Sequence, residues 1–146
     1  MGHRIFLFLM VLGSLFYGVL AVRAAVTAWQ ALPATVQAWE RSAQPGAEQC
    51  ARYLRSPWYQ GQLALALASG ALFVCGAAGL WRRARWSRLT LFGGAWLALA
   101  QMAWMLIVTL EWFHGSRAGM LYQVNVLNVA WVLLILAVAP TERLAR

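Results

Sequence analysis

The sequence predicts an all-α integral membrane protein: four transmembrane helices, N-in/C-in, with short amphipathic helices in the outer loop between spans 1 and 2. Three observations carry that expectation. Apolar residues make up 62% of the chain and charged residues 11%, against roughly half and a quarter in soluble domains. With so few charges, lipid must be the solvent for most of the surface. The charges also gather between long uncharged runs rather than within them. Finally, Trp81 to Arg88 packs four arginines, Arg82, Arg83, Arg85 and Arg88, into eight residues. No spanning segment tolerates that density, so 81–88 is a loop, and its charge assigns it to the cytoplasm.

At 146 residues the chain reads as a single membrane domain. Its first span covers about 5–26. Ile5 to Val22 is uncharged for eighteen residues, longer than the roughly seven to fifteen of a secretory signal, which favours an uncleaved transmembrane helix. The outer loop, 27–60, is polar but patterned. Leu32, Val36 and Trp39 recur at helical spacing, with Pro33 suited to the first turn of a separate helix. Gln44-Pro45-Gly46 is a break. From Ala47 to Leu54 a second short helix follows, with Ala47, Cys50, Ala51 and Leu54 on one face and a Glu48–Arg52 pair one turn apart.

The second span, 61–80, has Trp58 and Tyr59 at one edge and Trp81 at the other, where amphipathic rings concentrate. Ala71, Cys75 and Gly79 form a small-residue stripe on which another helix can pack. A third span covers 89–110, with Gly94, Ala98, Gln101 and Met105 on one face and Gln101 near mid-membrane. The fourth covers 120–139 and is closed by Pro140. This arrangement places seven arginines and one glutamate in the cytoplasm, and five arginines and three glutamates outside. The bias has the sign that the positive-inside rule requires. Exclusively arginine basic residues and a rich Ala/Leu/Trp content associate the chain with a bacterial inner (plasma) membrane.

The chemistry is read from what the spans carry. Their interiors hold no Asp, Glu, Lys or His, the groups through which membrane enzymes and carriers work. Histidine occurs only at His3 and His114, which disfavours haem. Cys50 and Cys75 form no C-x-x-C pair, so neither a redox dithiol nor a metal site is expected. The net charge of +8 clusters at the ends of apolar runs, pointing to lipid headgroups rather than nucleic acid. No catalytic residue, metal or cofactor is predicted.

One polar cluster remains as a candidate ligand site: Gln101, Glu111, His114, Arg117, Tyr122, Asn125 and Asn128. It reads either as an outward-facing pocket or as interhelical hydrogen bonding, of about 0.6–2 kcal/mol per contact. Glu111 and His114, three residues apart, are too few for a closed zinc site. Arg82, Arg83, Arg85 and Arg88 are the topogenic and headgroup-binding set. The leading functional expectation is a non-catalytic accessory or assembly subunit of a larger membrane complex. Its partners would be the bilayer and other membrane subunits, with a homo-oligomer as a further possibility. A small transporter or lipid-binding protein using the polar cluster stands second, and a membrane enzyme using Glu111 and His114 third.

Overall fold

Pro33 does not stop the first helix. In the computed structural model, which describes residues 2–113 and 126–138 and the side chains of 4–108 and 129–138, α1 runs unbroken over Gly2–Glu40 with Pro33 inside it. The sequence favours a separate amphipathic helix beginning near Pro33, and the difference has a packing cause. Leu32, Val36 and Trp39, on either side of the proline, belong to one apolar cluster with Ala51 and Leu54 of α2 (Ala47–Arg55). Holding both sides to one partner keeps the helix in line, although proline removes one backbone hydrogen bond. The expected second short helix forms as read: Ala47, Cys50, Ala51 and Leu54 are all buried.

Ser56 separates α2 from α3 (Pro57–Trp81). Its hydroxyl donates to the Tyr53 carbonyl at 2.6 Å, and Pro57 occupies the first helical position, where its missing N–H removes nothing. α3 then turns through 82–86 into α4 (Ser87–Phe113), and α5 (Val126–Val138) completes the described chain. All five described elements are helices. Among them α1, α3 and α4 are long and apolar enough to cross a membrane. α5 is apolar, but its thirteen described residues fall short of the roughly twenty a crossing needs.

α3 is the central helix. Half of its most apolar stretch is buried, against 17% for α1. α1 reaches it through glycine: a Cβ on Gly18 would lie 2.7 Å from the Gly70 carbonyl oxygen, and one on Gly70 would lie 2.9 Å from that of Gly18. Backbone therefore touches backbone, the close approach that small residues permit in membranes. Ala25 extends the same seam onto Leu63 and Ala66. The small-residue stripe expected at Ala71, Cys75 and Gly79 is not this seam, because Ala71 and Cys75 are exposed. The contact ridge lies one position away, through Gly70 and Ala66.

On its other side α3 packs on α4. Ser69 Oγ donates to the Gly94 carbonyl at 3.2 Å, and Leu91 fills the space over Gly76. Phe73, fully buried, sits in the main core with Met10, Leu80, Leu91, Ala95, Ala98, Val132 and Ile135. α5 joins this core and lays the Trp131 ring against Gly13.

Candidate functional site

The two ends of the bundle are chemically unlike. At one end α2, the close of α1, the start of α3 and the far part of α4 form a cap. Cys50, Tyr53 and Val108 are its buried centre, with Trp39, Tyr59 and Trp104 packed around them. Tyr53 donates to Gln62 Oε1 at 2.8 Å, a buried bond. Burial pushes the Cys50 thiol above its ordinary range, leaving it a packing group rather than a nucleophile. Glu40 pairs with Arg55, tying the end of α1 to α2. The Glu48–Arg52 pair expected from the sequence is present at 3.3 Å. Both pairs are solvent-exposed, so each contributes at most about 1 kcal/mol.

Neither Tyr53 nor Gln62 stands out in a sequence reading of sites. A signal existed in Gln62, an amide one residue inside an apolar run, which requires a partner within the protein. Tyr53→Phe is expected to cost about 1–2 kcal/mol, because it strands a buried acceptor. The double variant Tyr53→Phe/Gln62→Leu should recover most of that loss. Urea or detergent unfolding of the two variants checks it.

Of the polar cluster, the structure places Gln101 alone with its side chain, half-buried on α4. Its level along the bundle follows from the packing of α4 on α3. Gly94 is level with Ser69, and Trp104 stacks on Trp58 with ring centroids 5.0 Å apart. Gln101 is therefore within one turn of the Trp58 end of α3. α4 continues past that level to Phe113. Glu111 lies in the last turn of α4 and Asn128 in the first turn of α5 by backbone position. His114, Arg117, Tyr122 and Asn125 lie outside the described residues.

The opposite end is the arginine turn. Arg83 has φ 53°, in the left-handed region. Ala84 N–H reaches back to the Gly79 carbonyl at 2.8 Å and Arg83 N–H to that of Leu80 at 3.0 Å. This is the paired helix-ending motif that usually places glycine where Arg83 stands. The next helix follows at once, since a Cβ on Gly79 would lie 2.8 Å from Ser87 Cβ. Arg82, Arg83 and Arg85 are exposed, and Arg88 is partly buried. Arg83→Gly should therefore raise stability by up to about 1 kcal/mol while weakening the attraction of this end to anionic vesicles. Unfolding and vesicle-binding assays on the same variant read both effects.

Among the described residues no three His, Cys, Asp or Glu side chains come together, and Cys50 and Cys75 are both free thiols. The geometry sets a cationic turn at one end and a helical cap about 35 Å away along α3. No protein-family model, curated protein or solved structure matches the chain.

Proposed function

We propose that the protein is a non-catalytic subunit or assembly factor of a larger complex in a bacterial inner membrane, with the cap as its partner-binding surface. The proposed topology is four spans, with α5 as part of the fourth, both termini in the cytoplasm, the arginine turn inside and the cap outside. The arginine balance described above supports this orientation.

The observation that carries the reading is the length of α1. Its 39 residues extend about 58 Å, against a hydrocarbon core of about 30 Å. Even at the 40° limit of tilt it would cover about 45 Å. In this reading the α2 end projects, supported by packing: Phe6 and Leu7 join the core that contains Leu80, while Ala28 and Tyr59 pack on one cluster with Ala25 and Leu63. The crossing part of α1 therefore ends near Trp29, level with Trp58. The remaining eleven residues stand about 17 Å beyond it, braced by α2 and the Glu40–Arg55 pair. Gln30, Ala34, Gln37 and Ala38 form an exposed face of alanine and amide side chains on this arm, suited to contact with another protein.

Purification from native membranes in mild detergent should yield a stoichiometric partner. Ala34→Arg and Ala38→Glu should each release it while leaving the melting temperature unchanged. A lone monodisperse species, or retention of the partner by both variants, contradicts the proposal.

A further inference from the structure

The same register leaves Arg23 inside the crossing part of α1, about 7.5 Å short of the level of Ala28 and Tyr59. The span expected over about 5–26 already contains Arg23, and packing of Ala25 and Ala28 on the start of α3 continues beyond it. A cation there is costly unless it reaches an anion. Arg23 is exposed, and among the described residues it has no ion-pair or hydrogen-bond partner. The two described glutamate side chains, Glu40 and Glu48, pair with Arg55 and Arg52.

Arg23 stands at an apolar groove of about 510 Å³ between α1 and α3, open along its side and walled by Val22, Val26, Ala71 and Val74. Thr27, one turn along α1, lines the same groove. The hydroxyls of Thr35 and Thr90 donate to the carbonyls four residues back, each at 2.9 Å. That of Thr27 makes no hydrogen bond among the described residues, which leaves it able to meet a ligand.

We infer that this groove binds one anionic phospholipid, with an acyl chain along the α1–α3 seam and the phosphate held by Arg23 and Thr27. The long side chain of Arg23 lets its head reach toward the headgroup level while its stem stays on the apolar wall. A docking protein helix would have to carry its own carboxylate into the bilayer to satisfy the guanidinium. A phospholipid already joins an anion to an apolar tail at the right depth. The inference needs only a membrane-spanning α1–α3 pair and is independent of any protein partner.

The test is native mass spectrometry of the full-length protein in detergent, titrated separately with phosphatidylglycerol and with phosphatidylcholine of the same chains. The wild type should retain one phosphatidylglycerol under activation that strips phosphatidylcholine. Arg23→Gln should weaken that retention about fivefold, the scale expected for one basic residue at a lipid surface, while Arg23→Lys should keep it. Ala71→Phe, at an exposed position, should fill the groove and displace the lipid with the charge intact. Circular dichroism confirms that the variants fold. Equal retention by Arg23→Gln and wild type overturns the inference, as does equal retention of the two lipids. Efficient Cys75–Cys75 cross-linking in phosphatidylglycerol nanodiscs also overturns it, because a second copy would then occupy the groove.

Discussion

Gly18→Leu is expected to separate α1 from α3 and to cost at least about 3 kcal/mol, with loss of the folded species in detergent. A Cβ at this position would meet the Gly70 carbonyl at 2.7 Å, the Val74 side chain at 2.9 Å and the Val74 amide nitrogen at 3.0 Å. Two of these are backbone atoms, so no rotamer change relieves the clash and the helices must move apart. Overpacking that side chains can absorb costs about 1–3 kcal/mol, and rigid backbone puts this case at or above that limit. Because lipid tails are as apolar as leucine, close van der Waals contact is what holds helices together here. A graded series, Gly18→Ala, Gly18→Val and Gly18→Leu, should lose stability stepwise in unfolding assays. An unchanged Gly18→Leu would refute the seam.

Phe73→Ala carries the next largest effect, about 2–3 kcal/mol. Phe73 is fully buried and meets Tyr17 edge-on, with ring centroids 4.7 Å apart. In a water-soluble core the same change costs about 3–5 kcal/mol, combining lost transfer energy with a cavity. Transfer between lipid and a membrane core contributes little, so the cavity and lost dispersion dominate and set the lower figure. Phe16, 67% exposed on α1, provides the contrast: Phe16→Ala should be nearly neutral. Unfolding of the two variants in one detergent decides whether Phe73 is core.

Helical class, the position of α2 and its buried face were legible because each rests on local pattern. Ala47, Cys50, Ala51 and Leu54 fall at helical spacing, and Gly46, with φ 83°, supplies the turn that the Gln44-Pro45-Gly46 run announces. Features set by register between helices were not legible. Whether Pro33 starts a helix or rides within one depends on what Leu32 and Trp39 both touch. The level of Gln101 against α3 depends on Trp104 meeting Trp58. The stripe at Ala71 and Cys75 has the right composition for a seam, yet one residue of rotation assigns that role to Gly70. Candidate-site residues fared according to the same logic. The arginine turn is a local charge pattern and was visible, whereas the Tyr53–Gln62 bond joins two elements and was not.

The proposed topology sets the arginine turn in the cytoplasm and the cap on the opposite side of the membrane. Single cysteines introduced at Gln44 and at Arg85, in a Cys50→Ala/Cys75→Ala background, test it with an impermeant maleimide added to intact cells. Position 44 should be modified promptly, and position 85 only once the membrane is permeabilised. Modification at 85 in intact cells, with 44 protected, would contradict it.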